Sequence, residues 1–286
     1  MAYRFIIFPF LFIQFCGYSQ SITIKGIVTD TVRQPIEFVS IGIIDKPIGT
    51  VSNKVGFFNL IVNKKLLVNN DSLRFSMIGY FPKTISLSDI FEHKKENDQF
   101  SVTLNEKIEH LNEVVISQNR QKTEVLGSHS KSLLNMFVNF SISEIPNQNL
   151  GSEIGRKFAI RNKNTQLKTF RFFLDQNNFD TVKFRLNIYS MKSFKPDENI
   201  MNSNVFIDIF NKKTGWFDVD LTPYSLVVSD DIVVSVEWIS KSQKGDLLSL
   251  PIIMPTTHVH FYKFGSQNKW KRYNSMTTYM ELAIKY

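Results

Sequence analysis

The chain has 286 residues, 43% hydrophobic and 21% charged, with a formal net charge of +8. That length holds one large domain or two modest ones, and the composition is too polar for a bundle of membrane helices. Lysine and arginine are spread along the sequence and not gathered into blocks, so the clustered footprint of a nucleic-acid binder is missing and no nucleic-acid partner is expected.

Residues 1–19 read as a signal peptide. Arg4 is followed by an apolar run from Phe5 to Phe15, then by Gly17 and Ser19 as the small residues of a cleavage site. The run is shorter than the roughly 20 residues that span a bilayer as a helix. Cys16 is the single cysteine, and Phe15 before it is bulky where a lipoprotein signal has small residues. Cleavage near Ser19 is the expectation and lipidation at Cys16 the alternative. In either case no disulfide and no cysteine-based zinc site is expected in the mature chain. The expected address is the periplasm, the outer membrane or the cell surface.

With 26 Phe and 9 Tyr, the remaining sequence favours strands. Residues 21–30 alternate around Ile22, Ile24 and Val28, and residues 35–44 form a second strand with Pro35 at its start. Thr50 and Val51 end a third, "SNKVG" makes a turn, and "FFNLIV" (57–62) returns, a pattern that reads as a hairpin. A phosphate cradle needs several glycines and a following helix. This turn has only Gly56 and runs into a strand, so it is scaffold. Residues 71–80 place Leu73, Phe75 and Met77 on one face, and 99–106 and 111–117 complete a set spaced like an antiparallel sandwich.

The blocks "IKGIVTD", "PIEFVSIGI", "GTVSNKVGFFNL" and "LRFSMIGY", in that order, resemble the carboxypeptidase-like regulatory domain over residues 20–118. The resemblance implies a seven-stranded, prealbumin-like sandwich in which Gly56 and the Ile78-Gly79-Tyr80 segment are structural. Such domains precede TonB-dependent receptors of Gram-negative bacteria, and "LNEVVIS" resembles the lead into their plug. A receptor barrel needs about 22 strands of about ten residues, more than residues 119–286 can supply, so a receptor of that type is not expected. His93 with Glu96 and His110 with Glu113 have the His-x-x-Glu spacing of zinc peptidases, but neither has the fold context that gives such a short motif meaning. The family module is itself non-catalytic. No enzyme activity and no cofactor are expected.

Residues 119–150 read as a linker or docking segment, either one helix or an extra strand. Residues 151–286 then alternate with period two in six segments, the pattern of a jelly-roll-like sandwich, giving an all-β fold overall. The inward sets are Phe170, Phe172 and Leu174; Val182, Phe184, Leu186 and Ile188; Phe217, Val219 and Leu221; and Ile232, Val234, Val236 and Trp238. Arg171, Lys183, Arg185, Asn187, Tyr189, Trp216, Asp218, Asp220, His258, His260 and Tyr262 then point outward. From these, Trp216, Asp218, Asp220, Arg185 and Tyr189 are the candidate ligand-binding residues, because sugar C–H faces stack on rings while hydroxyls need paired donors and acceptors. The competing reading is an exposed face of mixed charges with no function. His258 and His260 share a strand face, but no further metal ligands stand out, and no metal is expected. Trp270 is a loop residue near three cations, suited to an anionic partner. In the last strand Met280, Leu282 and Ile284 alternate up to Tyr286, as in small outer-membrane barrels, which stands as an alternative. The expected role is non-catalytic binding or assembly at the cell envelope, with a glycan or an envelope protein as partner, peripheral association with the outer membrane, and oligomeric state open.

Overall fold

The computed structural model describes residues 21–68, 70–92, 100–107, 122–127 and 135–286. The leader, Cys16, both His-x-x-Glu pairs and residues 111–117 lie outside them. Strands β1 (Ser21–Thr29), β2 (Ser40–Ile43), β3 (Gly49–Val51), β4 (Phe57–Asn63), β5 (Ser72–Ser76) and β6 (Lys83–Ser86), helix α1 (Leu87–Glu92) and strand β7 (Phe100–Thr103) build an N-terminal sandwich. One sheet has the order β4-β1-β7, with β7 parallel to β1; the other is β3-β2-β5-β6, antiparallel throughout. Period-two alternation turns one side of each sheet inward. Ile24, Val28, Phe58, Leu60, Val62, Leu73 and Phe75 are each 2% exposed or less and pack into one core.

The turn at 52–56 does not close a hairpin, because β3 and β4 belong to different sheets. The Asn53 side-chain oxygen accepts from the backbone N–H groups of Val55 and Phe57, both at 3.0 Å. Gly56 sits at φ 72°, and a Cβ there would lie 2.5 Å from the carbonyl of Val28. The Asx-turn therefore carries the chain around the sandwich edge. Turn chemistry fixes the local bend but not the sheet that the next strand joins.

The rest of the described chain comprises β8 (Thr123–Leu126), β9 (Phe137–Asn139), β10 (Glu153–Phe158), β11 (Thr165–Leu174), β12 (Gln176–Asn177), β13 (Thr181–Lys192), β14 (Lys195–Asn199), β15 (Val205–Phe210), β16 (Gly215–Asp220), β17 (Val227–Val228), β18 (Ile232–Lys241), β19 (Leu248–Ile253), β20 (His260–Lys263), β21 (Lys271–Tyr273), β22 (Thr277–Thr278) and β23 (Met280–Lys285). A front sheet runs β14-β13-β18-β10-β20-β21, with β15 also on β13. A back sheet runs β16-β11-β23-β8, with β17 on β11, and a smaller sheet joins β9, β12 and β22 to β19. Strands β10, β11, β13, β16 and β18 alternate between front and back, with β14 and β15 added to the front sheet beside β13, a connectivity like that of a jelly roll. The described parts of 119–150 include strands docked on this body: β8 beside β23 and β9 beside β19.

The inward sets read from the sequence are buried between the sheets, except Phe217, which is half-buried and packs against the same core. Met280, Leu282 and Ile284 are 0%, 0% and 2% exposed, so the last strand turns its apolar side into a packed core and not toward lipid. The small-barrel alternative gives way to a sandwich. One register is reversed from expectation. His260 and Tyr262 are buried at 1% and 3%, Tyr262 within the main core, while Phe261 packs outward with Val233 and Val259 against Trp270. Alternation is ambiguous here because apolar partners cover both faces of β20.

Candidate functional site

Lys183, Arg185, Asn187 and Tyr189 do alternate outward from the front sheet, but the N-terminal sandwich covers part of that face. Phe38 and Val51 pack against Ile239 with Phe206 alongside, the Phe38 and Phe206 rings meeting edge-on at 5.3 Å. Ser266 donates its hydroxyl to the carbonyl of Thr50 at 2.9 Å, and the Gln267 amide donates to Ser76 Oγ at 2.7 Å and to the Ser40 carbonyl at 3.2 Å. The approach is close: a Cβ on Gly49 would stand 2.6 Å from the Ser266 nitrogen.

At the centre of this contact Arg185 is 3% exposed. Its Nε and Nη2 donate to Glu237 Oε2 at 3.0 and 2.7 Å, and Nη1 donates to the Phe38 carbonyl and to Met77 Sδ, each at 2.9 Å. Nη2 also bonds Ser40, whose hydroxyl donates to Glu237 Oε1 at 2.6 Å. Glu153 is the direct cross-strand partner of Glu237. The Asn187 amide donates to both carboxylates, at 2.8 Å to Glu153 and 3.1 Å to Glu237. Glu153 further accepts from Ser235, from the Tyr189 hydroxyl at 3.1 Å and from Lys263 at 2.6 Å. Two cations thus answer two carboxylates, which is what keeps buried ions tolerable. Burial pushes the Glu237 carboxyl up, but Arg185, Lys263 and the bonds from Ser40 and Arg185 outweigh it and hold it below its ordinary value. Burial, and then Glu153, drives the Tyr189 phenol well above its usual value, so it stays a donor.

Beyond the contact the same face opens into a cleft of about 750 Å³. Ser76 to Tyr80 wall it from the N-terminal side, and Trp270, Gln267 and Asn268, with Asp197 to Asn199, wall it from the other, while Arg185, Asn187, Tyr189 and Lys263 line its floor. Trp270 meets Tyr189 edge-on at 5.4 Å and Phe261 at 6.4 Å, and the Lys263 ammonium stands 4.8 Å from the Trp270 ring centre. This arrangement presents aromatic edges beside fixed donors and acceptors, a surface suited to hydrogen-bonding, C–H-rich ligands and with no unanswered charge at its base.

The five candidate residues do not form one site. Arg185 and Tyr189 belong to this front face, whereas Trp216, Asp218 and Asp220 lie on the outer side of the back sheet. There Trp216 meets Phe173 edge-on at 5.4 Å, Phe173 meets Tyr279 at 6.1 Å, and the Arg171 guanidinium lies 4.4 Å from the Trp216 ring centre while ion-paired with Glu281 at 2.5 Å. Asp218 pairs in register with Arg171 and is exposed. Asp220, also exposed, accepts from the Thr222 backbone at 2.9 Å, and the Thr222 hydrogen bonds hold its carboxyl below the ordinary range. His258 is exposed while His260 is buried, its ring stacked at 4.8 Å on Tyr273, so the two do not face one metal position. Sequence reasoning missed Glu153 and Glu237. Glu237 carried a signal: a carboxylate at an outward position of β18, in a run from Ile232 to Ile239 that is otherwise apolar but for Ser235.

Residues 24–116 match the CarboxypepD_reg-like domain family. No curated protein matches the chain in sequence. Among solved structures, the cysteine protease and lectin-like domains of Cwp84, a surface layer associated protein of Clostridium difficile, align at 12% identity and TM-score 0.36 over 47% of this chain and 32% of that one. The major pilin subunit BcpA of Bacillus cereus aligns at 10% identity and TM-score 0.20 over 91% of this chain and 69% of that one. The Gx strain of infectious bursal disease virus gives 7% identity and TM-score 0.26 over 93% and 62%. The chain spans about a third of the Cwp84 structure's length, and at such low scores none of the three bears on what this chain does.

Proposed function

We propose that this chain is a non-catalytic, exported protein of the cell envelope that binds a glycan in the cleft between its two sandwiches. The observation that carries the reading is the cleft of about 750 Å³, in which Trp270 and Tyr189 stand beside an ion-paired floor. A concave, part-aromatic, part-polar surface suits a small ligand with hydroxyls, whereas a protein partner calls for a flatter apolar patch. The match of residues 24–116 to a regulatory domain, and the saturation of Glu153 and Glu237 by donors, support binding over catalysis. The apolar run at 5–15 supports export, and no helix among the described residues is long and apolar enough to cross a membrane. The protein then works in the periplasm or at the outer-membrane surface. The test is a panel of envelope and dietary polysaccharides against the full chain. Saturable binding to a member of the panel is expected; silence across it sinks the glycan reading and leaves an envelope protein, to be sought by crosslinking.

A further inference from the structure

A second pocket, of about 310 Å³, shares no residue with the cleft. It lies where the end of β10, the residues after it, the segment before β20, β21 and β8 come together, and Arg156, Lys157, Arg161, Arg272, His258 and Glu124 are among its lining. Arg156 stands in the inward register of β10 between Ile154 and Phe158 and is 1% exposed. Its Nη1 donates to the carbonyls of Thr278 and Met280 at 3.0 and 2.9 Å, which fixes the guanidinium across the end of the sandwich. Arg161 and Arg272 are exposed. Lys157 is held by Asp231 at 2.6 Å, and Glu124 accepts from the Tyr286 hydroxyl at 3.1 Å. Four cations therefore line the pocket with one carboxylate, Glu124. Asp231 holds Lys157 and the Glu281 charge acts on Arg156 from outside the lining, which leaves the exposed Arg161 and Arg272 as the cations at its mouth. Burial lowers the Arg156 pKa to about 10, which leaves it charged at neutral pH. Burial, and then the Arg156 charge, lowers His258, so it serves as a neutral hydrogen-bonding group there.

We infer that this pocket is an oxyanion site of the phosphate class. Planar guanidinium forks match phosphate oxygens in pairs, and several of them around one cavity favour a group with three free oxygens over a single carboxylate. The volume exceeds what an inorganic ion fills and reaches the lower range of ligand pockets, so the oxyanion arrives attached to a small carrier such as a sugar or a lipid headgroup. This inference does not depend on the cleft reading.

The test titrates the full chain with inorganic phosphate, with glucose 6-phosphate, and with phosphatidylcholine vesicles with and without phosphatidic acid. The double variant Arg161→Glu/Arg272→Glu is compared with Lys54→Glu/Lys65→Glu, which reverses two exposed charges of the N-terminal sandwich that do not line the pocket. Expected is binding of glucose 6-phosphate that is stronger than that of phosphate, lost by at least about tenfold in the first variant and kept in the second. A lipid source gives binding to phosphatidic acid vesicles that phosphate competes away and that the first variant loses. Absence of binding in every arm, or equal weakening in both variants, overturns the site. Because both substituted arginines are exposed, equal melting temperatures of the variants without ligand show that any loss is local.

Discussion

Arg185 joins two strands of the front sheet to the N-terminal sandwich through bonds to Glu237, Ser40 and Phe38. Removing one partner of a buried ion pair leaves the other charge unanswered, so Arg185→Ala is expected to cost about 3–5 kcal/mol in denaturant unfolding. The depressed Glu237 carboxyl adds stability that is present above its ordinary value of 4.5 and is lost as pH falls through its lower folded value. His260 acts over a higher window. Burial lowers its pKa from 6.5 to about 4, so the folded imidazole stays neutral where the unfolded one takes a proton. Its contribution, at most about 3 kcal/mol, is complete above pH 6.5 and falls away toward pH 4. Melting temperatures measured between those values are expected to drop, and His260→Gln to flatten that slope. The outward direction of Arg185 was legible from alternation on β13. Its burial was not, because alternation tells which face a side chain takes and says nothing of what covers that face.

The strands themselves were largely readable. Each inward set of β11, β13, β16, β18 and β23 follows from period two, because a single core lies on one side of each sheet. The failures share one cause: contacts made by residues distant in sequence. β20 reversed its expected register because Trp270 covers its outer face, and the turn at 52–56 joins two sheets because β4 finds β1 and not β3. That turn still depends on its glycine. Gly56→Ala places a Cβ against the Val28 carbonyl at a positive φ, and a loss of about 1–3 kcal/mol is expected in thermal or chemical unfolding. Lys54→Ala in the same turn, exposed, is expected to change stability by less than about 0.5 kcal/mol.

At the scale of the molecule, two apolar cores meet through a polar seam and the small cluster of Phe38, Val51 and Ile239. A seam of buried, mutually satisfied charges couples the cores, so calorimetry of the full chain is expected to give one transition, and Arg185→Ala to separate it into two. The candidate site belongs to this scale. Tyr189 was visible in the sequence as a candidate, but the cleft it lines depends on how two sandwiches are set against each other, which no local pattern encodes. Trp216, chosen with it for the same chemistry, stands on the opposite sheet. The most direct measurement is therefore isothermal titration of a polysaccharide that binds the full chain, repeated with Trp270→Ala and with Trp216→Ala. Loss of more than about tenfold with Trp270→Ala, and none with Trp216→Ala, is the result predicted for the cleft. The reverse pattern would contradict it and locate recognition on the back sheet.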